Sequence, residues 1–181
     1  MYGLINEAMR RLVSESSGAE AWSAIADRAD VPESFAAMAY YDDDVTYALV
    51  TAASEVLGTP ASELLRSFGH YWTTRVGPEN YSDILGATGT DVMSVLVNLD
   101  HMHARLQNLY PELRPPSFAV SGETVDTFEV LYRSERQGLA PFVVGLLEGL
   151  GDLYGTPATV VHESAPSPDE PYDVFRVTLA R

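Results

Sequence analysis

The chain has 181 residues, 46% of them hydrophobic and 10% aromatic, and a formal net charge of −15. This is the composition of a folded protein, long enough for one domain or two small subdomains sharing a core, and its acidity argues against binding to nucleic acid or anionic membrane surfaces. It has no cysteine, which excludes disulfides, thiolate nucleophiles, iron–sulfur clusters and covalently attached c-type haem. All 11 basic residues are arginine; the acidic balance suits a partner with a basic patch, or serves solubility alone. No run of about 18 apolar residues exists, so no membrane insertion is expected. Glu7, Arg10 and Arg11 interrupt any secretory-signal core, and a cytoplasmic location follows.

Residues 1 to about 110 read as helical. Leu4, Ile5, Met9 and Leu12 mark a first helix that ends at Ser16-Ser17-Gly18, and Trp22 and Ile25 mark a short second one. Asp42-Asp43-Asp44 opens a third, through Tyr47, Leu49, Val50 and Val56. Asp44 is its candidate cap, placing negative charge at the positive helix end, and Gly58 closes it. Three neighbouring aspartates also suggest a metal site, but such a run more often caps and solvates a helix start. Pro60 begins a fourth helix through Leu64, Leu65, Phe68 and Trp72, and Gly77-Pro78 is expected to break the chain. A long helix follows from Asp91 to Asn108, with Val92, Val95, Leu96, Leu99, Met102 and Leu106 spaced three and four apart as one buried stripe.

After Pro115-Pro116 the pattern changes. Residues 117–120 and 125–134 alternate like strands around a turn at Ser121-Gly122-Glu123-Thr124. An apolar helix spans Pro141 to Tyr154, and two more strands fit 157–162 and 172–179, separated by a Pro/Ser/acid loop from Glu163 to Pro171. There is no internal repeat. A helical half followed by strand-strand-helix-strand-strand is an α+β class.

Two features carry chemistry. His103 falls inside the apolar stripe, four residues after Leu99 and three before Leu106, whereas His101 is about 200° away on the polar face. A histidine on an apolar face is either a hydrogen-bonded core residue or a ligand presenting a neutral imidazole nitrogen. Tyr132, Ser134 and Arg136 stand at every second position, so a strand would aim them at one face. Two hydroxyls and a forked cation suit a pair of carboxylates, although an exposed polar strand face looks the same. Together the two features suggest an anionic cofactor that holds a metal.

These residues sit in a context that resembles the haem nitric oxide/oxygen-binding domain family, H-NOX, which is related to the haem domain of soluble guanylate cyclase. The matching segments are Met1-Tyr2-Gly3, Asp43-Asp44-Val45-Thr46-Tyr47, Ala52-Ala53-Ser54-Glu55-Val56-Leu57 and Phe68-Gly69. Further along they are Asn98-Leu99-Asp100 leading to His103, Arg114-Pro115-Pro116-Ser117-Phe118, Tyr132-x-Ser134-x-Arg136, and the helix from Gly138-Leu139 to Gly145-Leu146. The segments occur in order over nearly the whole chain.

The resemblance implies a helical distal subdomain, residues 1–64, packed on a proximal subdomain, residues 65–181. The latter would carry a four-stranded antiparallel sheet and helix, with haem b between the two. It implies that His103 is the sole protein ligand to the haem iron, that Tyr132, Ser134 and Arg136 bind the propionates, and that Pro115 and Pro116 press on the porphyrin. Ile5, Trp72, Phe142 and Leu146 would line the pocket. Oxygen-binding members carry a distal tyrosine where this chain has Phe142, or Pro141 if the gap falls differently, and neither residue donates. Trp72, with Tyr71 next to it, retains a potential donor.

The expected function is a ferrous haem sensor that binds nitric oxide and carbon monoxide and excludes oxygen. It would signal by release of His103 to a separate sensor histidine kinase or cyclic-di-GMP enzyme, since the chain stops soon after its last strand. An oxygen-binding haem sensor and a haem-free interaction module are the other readings. No nucleophile–base constellation points to an enzyme.

Overall fold

The computed structural model describes residues 1–122, 124, 126–168 and 170–180. Its backbone contacts divide the chain into two units, the first ending at Phe68 and the second starting at Gly69. The first contains α1 (Gly3–Ser17), α2 (Ala19–Ala29), α3 (Asp43–Leu57) and the beginning of α4 (Ala61–Tyr71). α2 packs on both α1 and α3, and Met9, Val13, Trp22, Ile25 and Leu49 are buried. α1 gives way at Gly18, with φ +92°, and α3 at Gly58, with φ +64°, a left-handed position that favours glycine. Asp44 is not the cap of α3. The flanking residue is Asp42, whose side chain makes no capping bond, and Asp43 and Asp44 lie inside the first turn, where their charge opposes the helix dipole.

In the second unit, Gly77-Pro78 does not break the chain. α4 runs through a single π turn, Trp72–Val76, into α5 (Gly77–Thr88). Gly77 is helical, with φ −57° and ψ −59°, and its N–H donates to the Trp72 carbonyl. Pro78 stands in the first turn of α5, where no N–H is needed. The helix then kinks at Tyr81, with φ −136°. α6 (Val92–Leu109) begins with a reciprocal cap: Asp91 Oδ1 accepts from the Ser94 N–H at 2.8 Å, and Ser94 Oγ accepts from the Asp91 N–H at 3.1 Å. Val92, Val95, Leu96 and Met102 are buried, as their spacing predicts.

Four antiparallel strands, β1 (Ser117–Ser121), β2 (Thr127–Arg133), β3 (Ala158–Ser164) and β4 (Asp173–Leu179), pair in the order β1-β2-β4-β3. Phe118, Phe128, Val130, Tyr132, Val160, Phe175 and Val177 form the buried side of the sheet. α6 packs against β1, and α7 (Ala140–Leu153) packs against β3 and β4. The expected strand 125–134 is shorter at both ends, running from Thr127 to Arg133. The start at 125, Glu123 of the expected turn, and residue 169 of the expected loop lie outside the described residues. No described helix is long and apolar enough to cross a membrane.

Candidate functional site

The phase of α6 leaves His101 exposed and His103 half-buried. His103 Nδ1 lies 3.2 Å from the Pro116 carbonyl oxygen. A carbonyl only accepts, so Nδ1 carries the proton and Nε2 keeps its lone pair. Burial pushes the imidazole pKa down, against the opposing pull of the Asp100 charge and the Pro116 bond. The ring is therefore neutral near pH 7, as a metal-binding imidazole must be. Asp100, three residues earlier, accepts from the Phe118 N–H at 2.8 Å and so ties α6 to β1. Ring centroids step from His103 to Phe118 at 6.2 Å and from Phe118 to buried Tyr132 at 5.2 Å.

Tyr132, Ser134 and Arg136 are not a single strand row. Tyr132 belongs to β2, opposite Phe118 on β1 and Asp173 on β4. Ser134 and Arg136 lie beyond the strand end. Ser134 Oγ accepts the Arg136 N–H at 3.0 Å, a local side-chain bond that replaces the ladder. Arg136 Nη1 then donates to the Arg114 carbonyl at 2.8 Å. The segment 114–116 thus receives His103 at one carbonyl and Arg136 at another. Pro115 and Pro116 are half-buried within it. Asp100 and Arg114 are participants that sequence patterns miss; their partners are 18 and 22 residues away. Their signal lies only in the matching segments Asn98-Leu99-Asp100 and Arg114-Pro115-Pro116-Ser117-Phe118.

The remaining candidates of this unit lie on the π turn and α7. Trp72 is half-buried and Tyr71 is buried. Phe142 and Leu146 are half-buried, one turn apart on α7. α4 approaches α7 at Gly69, where a Cβ would lie 2.0 Å from the Phe142 carbonyl oxygen and 2.8 Å from the Leu146 nitrogen. A second close approach is at Gly149, whose Cβ would be 3.0 Å from the His70 carbonyl oxygen and 3.1 Å from Thr73 Cβ. Thr73 Oγ1 donates to the Leu146 carbonyl at 3.2 Å. The structure therefore brings the Trp72 turn and the Phe142–Leu146 turn together. Ile5 is half-buried on α1, in the first unit.

Among the described residues, no three His, Asp or Glu side chains converge to hold a metal ion. A metal at His103 would need a cofactor to supply its other ligands. The donor set fits an iron porphyrin: one neutral imidazole with its tautomer fixed, and hydroxyl and guanidinium donors beside the same backbone segment.

A family model described as Haem-NO-binding matches residues 2–162. Soluble guanylate cyclase gcy-35 of Caenorhabditis elegans is 28% identical over 151 residues, 81% of this chain and 22% of that protein. Soluble guanylate cyclase 89Db of Drosophila melanogaster is 24% identical over 161 residues, 88% of this chain and 24% of that protein. The chain thus spans less than a quarter of the length of these curated relatives. The Fe(II) unliganded H-NOX protein from K. algicida superposes with a TM-score of 0.86 at 21% identity, covering 100% of this chain and 97% of that one. The H-NOX protein from S. oneidensis in the Fe(II)NO state gives 0.86 at 17% identity, covering 100% of both chains. At such identities the superpositions establish a common fold.

Proposed function

This chain belongs to the Haem-NO-binding family, and from that premise we propose that it is a ferrous haem b sensor binding nitric oxide and carbon monoxide but not oxygen. The observation that carries this reading is the half-buried imidazole of His103, anchored at Nδ1 to the Pro116 carbonyl. When bound, a haem would supply an iron centre able to take a diatomic gas. His103 presents Nε2 as the protein ligand to that iron, with its ring orientation held by the Pro116 carbonyl. Tyr132, Ser134 and Arg136 are the residues that would hold the two propionates, with Arg136 giving the charge-assisted contact. Pro115 and Pro116 form the stiff segment against the porphyrin.

Trp72, Phe142 and Leu146 would line the space for the gas. Trp72 keeps an indole N–H, but Phe142 and Leu146, at the positions that face it from α7, have no donor to offer a ligand that carries partial negative charge, which favours nitric oxide and carbon monoxide over oxygen. A change at His103 would be passed to α6, which is hydrogen-bonded to β1 through Asp100–Phe118 and to the segment before it through His103–Pro116. A separate sensor histidine kinase or cyclic-di-GMP enzyme is the partner class, by family analogy.

Absorption spectra of the reduced protein test this, taken without oxygen, then with nitric oxide, then in air. A ferrous-histidine spectrum that changes with nitric oxide and is unaltered by air is expected. A stable oxy spectrum would replace the reading with that of an oxygen sensor. A protein that stays colourless when haem is supplied would leave an interaction module.

A further inference from the structure

In the π turn Trp72–Val76 the backbone hydrogen bonds reach five residues on, and the Gly77 N–H goes to the Trp72 carbonyl. Such wide turns cost regular helical bonding and recur at functional sites. Here two threonines fall inside one. The Thr73 hydroxyl shares its one proton between the Gly69 carbonyl at 3.3 Å and the Leu146 carbonyl on α7 at 3.2 Å. Thr74 Oγ1 donates to the His70 carbonyl at 2.8 Å. On the far side, Asn80 Nδ2 donates to the Val76 carbonyl at 2.9 Å.

Each threonine hydroxyl thus reaches the carbonyl four residues back, the one a regular α-helix would join to that threonine's own amide. Back-bonding of this kind slightly destabilises and often bends helices; Thr51 in α3 and Thr88 in α5 do it singly within α-helix, whereas here two fall in succession and one is also bonded across to α7. Threonine is also a poor helix former, so two in succession weaken a regular helix in favour of this geometry. Thr73 is buried, and its hydroxyl needs the partners it has.

The close approaches at Gly69 and Gly149 hold Gly69, His70 and, within the turn, Thr73 against α7. If the turn tightened to α geometry, the chain beyond that clamp would rotate by about 100° and slide by about 1.5 Å. Trp72 stands between His70 and Thr73, both held against α7, so its placement follows that of Thr73. We infer that Thr73 and Thr74 are positioning residues: their hydroxyls set the π turn, and through it the placement of Trp72 against the gas site. The last step rests on the haem reading above; the placement of Trp72 does not.

The chain has two tryptophans, Trp22 and Trp72, so a Trp22→Phe background makes Trp72 the sole indole. In the full chain, Thr73→Val, Thr74→Val and Thr73→Ser are compared by three measurements. These are the ultraviolet resonance Raman band that reports the Trp72 side-chain torsion, amide hydrogen exchange over 72–76, and the C–O stretch of the ferrous carbon monoxide complex. The valine variants should shift the indole band and the C–O stretch. Their exchange should speed roughly tenfold per lost hydroxyl, the ratio equivalent to about 1.4 kcal/mol. Thr73→Ser should keep wild-type values for all three.

Thr74→Val removes a bond within one helix on a half-buried residue, and decides the matter if Thr73→Val does not fold. An unchanged indole band in a folded valine variant overturns the positioning role. A shifted band with an unmoved C–O stretch overturns the link to the gas site. A colourless protein leaves the first two measurements intact and refutes only the haem reading.

Discussion

Gly69→Ala provides a test of the α4–α7 contact, because the same substitution at Gly86 should act in the opposite direction. At Gly69 the new methyl would sit 2.0 Å from the Phe142 carbonyl oxygen, 2.8 Å from the Leu146 nitrogen and 3.0 Å from the Phe142 carbonyl carbon. All three are backbone atoms of a helix already packed on the sheet, so no side-chain rotation relieves the overlap. The helices must part by about 1 Å to restore ordinary contact, an overpacking cost of about 1–3 kcal/mol or somewhat more. Alanine's helix propensity returns about 0.8–1 kcal/mol. The net is a destabilisation of up to about 2 kcal/mol or somewhat more, a few degrees in Tm for a chain of this size.

Gly86, on α5, has nothing within 4 Å of its Cβ position. Gly86→Ala should therefore gain up to about 1 kcal/mol from propensity alone. Urea titrations followed by circular dichroism would measure both. Equal stabilities for the two variants would show that Gly69 does not lie against α7 as described. Because Phe142 and Leu146 are the residues struck, the Gly69→Ala variant should also alter the carbon monoxide spectrum, and Gly86→Ala should not.

Three more outcomes follow from the site. His103→Gly should hold haem weakly and regain a ferrous-histidine spectrum when imidazole is added, while His101→Ala should leave the spectrum unchanged; the opposite pairing would mean that the helical register is wrong. Arg136→Ala should lose more haem on purification than Ser134→Ala, since an unpaired propionate charge costs more than a lost neutral hydrogen bond; equal haem content would remove Arg136 from this role. Asp91→Ala should destabilise the protein by about 1 kcal/mol at pH 7 through loss of the α6 cap. The Ser94 backbone N–H, and then its hydroxyl, hold the Asp91 carboxyl below its ordinary pKa of 3.8, so the capping contribution is complete above that pH and is lost as pH falls through the lower folded value. The gap between wild type and Asp91→Ala, measured by urea denaturation, should narrow in acid below 3.8.

What was legible in the sequence was what is periodic or local. The spacing of Val92, Val95, Leu96 and Met102 gave α6, its buried side and the phase that separates His103 from His101. Alternation gave four strands in the right order but misjudged the end of β2, because a hydroxyl that captures a nearby N–H looks in sequence like one more strand position. The π turn and α5 were invisible for a similar reason. Gly77-Pro78 usually ends a helix, and nothing in hydropathy distinguishes that from a proline admitted at a helix start. The partners of His103 and Arg136 were out of reach as well, since a backbone carbonyl is present at every residue and only the fold selects Pro116 and Arg114.

That selection has a mechanical consequence. Residues 114–116 form a crossbar with two handles, the imidazole on the Pro116 carbonyl and the guanidinium on the Arg114 carbonyl. Two of its three residues are prolines with φ fixed near −65°, so the bar has little freedom to flex between its ends. A displacement of one handle is therefore delivered to the other rather than absorbed. In a double-mutant cycle, His103→Gly and Arg136→Ala would then be non-additive, even though these side chains stand on different elements and grip different carbonyls.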